Sequence, residues 1–257
     1  MKHIVKSKFN SKSKSLILGL LIGDGTICKS KYGCQMKVHQ GRGMKEYTEW
    51  KVKMMDKYGV KHGDINTIYC STNFTNGERR ESSYVWLRNH IFYDVLRRVV
   101  YTEYGKVFSR KLLNRLTSLG LAIWYMDDGS LNFKKHTLND GTKKIHGLFL
   151  RISCCLPKHI LQIYVDYFKE VWNINFYMYH EGKKQDSYSL SCGTNEAIKF
   201  INIVKPYVNQ VQCMKYKVEY DLSHRSRSPI DCTHENVEVH SITNSNEDIV
   251  QEINVTH

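Results

Sequence analysis

The 257-residue chain is predicted to be an α+β protein built from two pseudo-symmetric αββαββα halves, on three observations. An apolar segment ending in Asp-Gly occurs twice, as Ile17–Gly25 and Leu121–Gly129. Each copy is followed by the same succession of alternating stretches and helical stripes, as expected of a duplicated unit. Hydrophobic residues make up 41% of the chain, enough for a globular core in a chain of this length.

The elements follow in order. After the first apolar segment come strands at 26–30 and 33–40. A helix at 44–58 then carries Tyr47, Trp50, Met54 and Tyr58 on one face. Strands at 65–73 and 82–88 flank Asn76-Gly77, a strong hairpin signal. A helix at 90–104 is predicted to bury Ile91, Phe92, Val95, Leu96 and Val99. In the second half, strands at 130–135 and 145–154 are joined through Asp140-Gly141. Pro157 opens a helix to Trp172, with Ile160, Leu161, Tyr164, Phe168 and Val171 as its core stripe. Strands at 174–180 and 187–192 turn at Glu181-Gly182, and a helix at 195–205 is predicted to stop before Pro206.

Charge narrows the function. Lys plus Arg number 38 against 25 Asp plus Glu, a formal charge of +13. Residues 222–257 hold two basic and six acidic side chains, so the body before them carries +17. Such an excess points to a polyanionic partner. The eight cysteines include no C-x-x-C pair, which speaks for reduced thiols in a reducing compartment and against zinc. No histidine lies in H-E-x-x-H spacing. The run Leu16–Ile22 follows five lysines like a secretory signal, but it is too short to span a bilayer and lacks a cleavage site. A mitochondrial presequence ending before Leu16 is the better rival. The run itself is read as mature structure.

The two apolar segments carry the chemistry. Each is hydrophobic around its whole circumference, as suits a helix buried between two halves. Gly19 and Gly23 lie on one face and permit close backbone approach. Each helix ends at Asp-Gly, which places carboxylates at the negative end of the helix dipole, a destabilising position. Two such ends together gather aspartates and orphan carbonyls at one spot and call for a hard cation such as Mg²⁺. One Asp-Gly alone is an ordinary turn after a helix. The pair, at repeat spacing, is not. Asp127 reads equally as a capping group and as a ligand.

These segments resemble the two signature helices of single-chain LAGLIDADG homing endonucleases of the intron-encoded type, over about residues 15–221. Leu121–Gly129 with Ser130 is the more specific copy, although Ile123 stands where a small residue is usual. The resemblance implies two half-domains forming a β-saddle over DNA, with the motif helices at their interface. It implies catalytic, metal-holding aspartates at Asp24 and Asp128, with the backbone carbonyls of Gly23 and Asp127 completing the coordination of Mg²⁺ or Mn²⁺. No organic cofactor is expected. Lys106, in the inter-repeat segment, and Lys217, in Met214-Lys215-Tyr216-Lys217, match the family's catalytic lysines. Both also read as solvated surface lysines.

The domains expected on this basis are a basic arm at 1–14, a first half at 15–104, a linker at 105–114, a second half at 115–221 and a flexible tail at 222–257. Alternation nominates DNA-contacting side chains: Gln35, Lys37, His39, Gln40, Ser71, Asn73, Arg79, Arg80 and Arg88 in the first half. In the second half it nominates Asn132, Lys134, Arg151, Ser153, Tyr177, Tyr179, Lys183, Lys184 and Ser189. An off-by-one register exchanges core for contact. The implied activity is hydrolysis of both strands of a long asymmetric DNA by a monomer, promoting mobility of its host intron or element. Two rival readings stand beside it, an intron RNA maturase and a cleavage-inactive DNA-binding regulator. Intact Asp24 and Asp128 weigh against both. No membrane association is expected, and no protein-splicing sequence flanks the body, which weighs against an intein. The expected location is intracellular, in a bacterial or phage cytoplasm or an organelle.

Overall fold

A computed structural model describes residues 9–222 apart from Arg42, 71–79, 138–140, Thr142 and 183–185. The chain divides into residues 1–224 and 225–257; the second unit lies outside the described residues, and both repeat halves belong to the first. The first half runs α1 (Ser11–Ile22), β1 (Thr26–Ser30), β2 (Gly33–Gln40), α2 (Lys45–Lys57), β3 (Asn66–Cys70), β4 (Arg80–Leu87) and α3 (Ile91–Val100). A short hairpin, β5 (Tyr101–Thr102) and β6 (Gly105–Lys106), and α4 (Arg110–Leu113) lead to the second half. That half comprises α5 (Ser118–Asp128), β7 (Gly129–Thr137), β8 (Lys143–Leu156), α6 (Lys158–Trp172), β9 (Tyr177–His180), β10 (Tyr188–Gly193) and α7 (Thr194–Val208), and a 3-10 turn follows at Gln212–Lys217. The α+β repeat is therefore present, element for element.

Each half folds its strands into an antiparallel sheet of the same topology, β1-β2-β4-β3 and β7-β8-β10-β9. Alternation sorts the strands. In β2, Cys34, Met36, Val38 and Gln40 point inward, while Gln35, Lys37 and His39 lie on the outer face. In β8, Leu148, Leu150 and Ile152 are fully buried, whereas Ser153 is exposed.

The two halves meet along α1 and α5. Nearly every side chain from Ser13 to Leu21 and from Leu119 to Met126 is buried, so both helices lack a solvent face. Asn10 caps α1, its side chain accepting from the Ser13 amide at 2.9 Å. Contact at the crossing is backbone to backbone. A Cβ on Gly19 would lie 2.6 Å from the Gly120 carbonyl oxygen, and one on Gly120 would lie 2.8 Å from that of Ser15. The Ser15 and Thr117 hydroxyls hydrogen-bond across the seam at 2.9 Å.

Four expectations change. Helix α1 begins at Ser11, so 11–14 is its first turn and not part of a solvated arm; Ser13 and Lys14 are buried. Helix α3 ends at Val100, and its buried face is Phe92, Tyr93, Leu96 and Val100. Ile91 and Val99 are 48% and 46% exposed because they stand off that face. Helix α7 continues through Pro206 to Val208. Its apolar stripe Ile201–Val204–Val208 is completely buried, and that burial offsets the amide hydrogen bond that proline cannot make. The Asn76-Gly77 hairpin and Asp140 lie outside the described residues.

Candidate active site

The C-terminal ends of α1 and α5 open into one cleft. A cavity of about 410 Å³ is lined by Gly23, Asp24, Lys106, Asp128, Ser153 and Cys154, among others. Asp24 is exposed and Asp128 is half-buried. Burial, the neighbouring Asp127 and then Asp24 push the Asp128 carboxyl up to about 7, against the opposing pull of Lys106 and Lys217.

Two lysines close the helix ends. The β5–β6 hairpin, turned by Gly105 at φ +90°, delivers Lys106. Its ammonium donates to the carbonyls of Leu21 at 2.8 Å, Gly25 at 3.1 Å and, at shorter range, Gly23. Lys217 does the same for α5, donating to the carbonyls of Tyr125 and Met126. The 3-10 turn that carries Lys217 is fastened to α2, where the Glu46 carboxylate accepts from the Gln212 and Cys213 amides at 2.6 and 3.0 Å. The Tyr125 hydroxyl donates to the Lys217 carbonyl at 2.7 Å. Burial lowers the pKa of both lysines, while the three aspartates oppose that shift. Both are thus structural partners of the helix termini and not solvated surface lysines.

Asp127 is the buried member of the aspartate group. Its side chain is 0% exposed and pairs at 2.7 Å with Lys51, also 0% exposed, on α2. Its other oxygen accepts from the Asp24 amide at 3.1 Å. Burial pushes this carboxyl up, and the Lys51 ammonium opposes it. Gln40 donates to Asp24 at 2.9 Å and to Asp127 at 3.4 Å. Lys51 also sits 4.1 Å over the Tyr47 ring, whose hydroxyl donates to the Ile123 carbonyl at 3.2 Å.

The donor set suits a hard divalent cation. The Asp24 and Asp128 carboxylates in the cleft are hard oxygen donors, standing beside the Lys106 ammonium and the Cys154 thiol, and an anionic Asp128 is costly until a positive charge compensates it. Among the described residues, no group of three His, Cys, Asp or Glu side chains stands in metal-holding array. Carbonyl or substrate oxygens would therefore have to complete the coordination. The Gly23 carbonyl, one of the expected ligands, accepts from Lys106 with one of its two lone pairs.

The nominated DNA contacts divide. Gln35, Lys37, His39 and Arg88 lie on the outer side of the first sheet, with Lys37 4.3 Å over the Tyr84 ring. Asn132, Lys134, Ser153, Tyr177 and Tyr179 are exposed on the second. There Arg151 stacks 3.5 Å over Tyr179. Two nominations are corrected. Gln40 is 4% exposed and turned toward the aspartates, because it continues the inward series of β2. Ser189 is 0% exposed, and its hydroxyl accepts from the Cys154 amide at 3.0 Å. Ser71, Asn73, Arg79, Lys183 and Lys184, and the side chain of Arg80, lie outside the described residues.

Sequence reasoning missed Lys51 and Gly120. The signal for Lys51 was a lysine one turn after Tyr47, inside the stripe Tyr47–Trp50–Met54. Gly120 stands one residue before the second apolar segment and gave no signal without its partner Gly19.

Residues 14–200 match the family described as the LAGLIDADG DNA endonuclease family. A solved structure with a similar fold is the homing endonuclease I-WcaI bound to its DNA recognition sequence, at TM-score 0.65 and 20% identity, covering 83% of this chain and 88% of that one. Among curated proteins, RecA of Mycobacterium shimoidei is 28% identical over 210 residues, 79% of this chain and 45% of that protein. RecA of Mycolicibacterium flavescens is 26% identical over 218 residues, 82% of this chain and 47% of that protein. The chain thus spans less than half the length of these relatives. Among the described residues, no helix is long and apolar enough to cross a membrane.

Proposed function

Because the chain belongs to the LAGLIDADG DNA endonuclease family, we propose that it hydrolyses both strands of a long, asymmetric DNA target as a monomer, promoting mobility of the intron or element that encodes it. The observation that carries this reading is the meeting of two helix ends, each with a carboxylate at the cleft and a lysine on its last carbonyls.

In this reading Asp24 and Asp128 would hold Mg²⁺ or Mn²⁺, with the backbone carbonyls of Gly23 and Asp127 as further hard oxygen donors. A bound divalent ion supplies the charge that favours attack of water on a phosphodiester. Gln40 keeps the Asp24 carboxylate turned toward the cleft through its 2.9 Å bond. Lys106 and Lys217 bind the terminal carbonyls and place two positive charges where a phosphate carries developing negative charge. The packed α1–α5 seam fixes the distance between the two halves of the site.

The outer sheet faces supply recognition. Gln35, Lys37, His39 and Arg88 on one sheet, and Asn132, Lys134, Arg151, Ser153, Tyr177 and Tyr179 on the other, present donors, acceptors and apolar rings to major-groove base edges. The basic body supplies sequence-independent attraction to phosphates. Strand-resolved cleavage and DNA binding by Asp24→Asn and Asp128→Asn test the assignment. The expected result is cleavage reduced at least a hundredfold, with DNA affinity within threefold of wild type. A variant that still cuts both strands at the wild-type rate removes that aspartate from the mechanism.

A further inference from the structure

The two halves of the site are not equivalent. Counted back from Asp128, Asp127 occupies the place that Gly23 holds before Asp24. A buried carboxylate therefore stands in one motif and none in the other. Gly23 is also where that carboxylate lodges: a Cβ there would lie 2.8 Å from the Asp127 Cβ. The strands differ likewise. Thr26, two residues after Asp24, pairs with Lys37, and Ser130, two residues after Asp128, pairs with Arg151. By that register Cys154 occupies in β8 the place of Gln40 in β2, and a thiol does not offer an amide's pair of donors.

We propose that Lys51 is a positioning residue that acts through Asp127 on Asp24, and so pre-orders one half of the site only. The chain of contacts is short. The Lys51 ammonium fixes one oxygen of Asp127 at 2.7 Å, and the other oxygen holds the Asp24 amide at 3.1 Å across the interface between the halves. Tyr47 holds Lys51 in place, its ring under the ammonium and its hydroxyl on α5. A charge-assisted acceptor on a backbone amide at the helix end fixes the peptide from which the Asp24 carboxylate projects. A buried ion pair contributes little net stability in general, so its value here is the geometry it enforces.

The inference rests on the proposed cleavage reaction for one readout and on the structure alone for the other. Lys51→Met/Asp127→Leu removes both charges and the acceptor together while keeping side-chain volume, so no unpaired charge is left buried. The first measurement, in the full chain without metal or DNA, is amide hydrogen exchange. The Asp24 amide is expected to exchange at least tenfold faster in the double variant. The Gly129 amide, bonded to the Tyr125 carbonyl, serves as the internal reference and is expected to change less than threefold. The second measurement is strand-resolved nicking of a supercoiled plasmid carrying the target. The ratio of the two strands' rate constants is expected to shift at least tenfold, with nicked circle accumulating. Unchanged exchange at Asp24, or equal slowing of both strands, overturns the proposal. A wild-type chain that cuts nothing defeats the endonuclease reading, and the exchange result still decides whether the Lys51–Asp127 clamp exists.

Discussion

Gly19→Ala probes the seam that sets the spacing of the two aspartates. The added methyl would sit 2.6 Å from the Gly120 carbonyl oxygen and 2.7 Å from its Cα, both backbone atoms. Ordinary contact needs roughly 3.4 Å or more, so α1 and α5 must separate by about 0.8 Å, and no side chain can rotate away to absorb it. Overpacking of this kind costs about 1–3 kcal/mol. Better helix propensity returns about 1 kcal/mol, leaving a net loss of up to about 2 kcal/mol. For a body of this size that lowers Tm by up to about 8 °C. The functional loss is larger, because a misplacement near 1 Å costs on the order of a hundredfold in rate. Thermal unfolding and plasmid cleavage are compared with Gly41→Ala, where a Cβ meets nothing within 4 Å. A Gly19→Ala protein that matches the Gly41→Ala control in both Tm and cleavage rate refutes the close-packed seam.

Other perturbations separate the contributions. Lys51→Met alone leaves the buried Asp127 carboxylate unpaired and is expected to destabilise by about 3–5 kcal/mol, most of it recovered in Lys51→Met/Asp127→Leu; chemical unfolding measures both. Asp128 has its pKa raised to about 7 in the folded chain from an ordinary 3.8. Its contribution to stability is therefore present at low pH and lost as pH rises from about 4 to about 7. Unfolding of wild type and Asp128→Asn in EDTA across that window is expected to diverge, and parallel curves contradict the shift. By the same linkage, cation affinity is expected to rise about tenfold per pH unit up to about 7, as read by calorimetry. DNA affinity is expected to fall on the order of 10³-fold or more between 50 and 200 mM salt, if six or more phosphates are contacted.

The repeat made the architecture legible, and strict alternation located β1 and β2. Lys106 and Lys217 were legible through family resemblance alone; nothing in their spacing says that each would cap a motif helix. Errors arose where tertiary packing overrode a local rule. Pro206 failed to end α7 because Val208 is buried beyond it. The α3 stripe was displaced because Tyr93 and Val100, not Ile91 and Val99, face the core. Gln40 and Ser189 are polar side chains on buried sides of strands, and polarity alone assigned them outward. Lys51 shows the opposite case, a charge placed inside because a buried carboxylate from the other half waits for it. Only the folded interface brings those two residues, 76 apart in sequence, together.

The most direct test of the central claim is cleavage of a DNA library by the full chain with Mg²⁺ and with EDTA, beside Asp24→Asn/Asp128→Asn. Double-strand cuts at one long site that require the divalent ion and vanish in the double variant are the expected result. Cutting that persists in EDTA or in the variant contradicts the account, as does no cutting by a chain that binds structured intron RNA tightly.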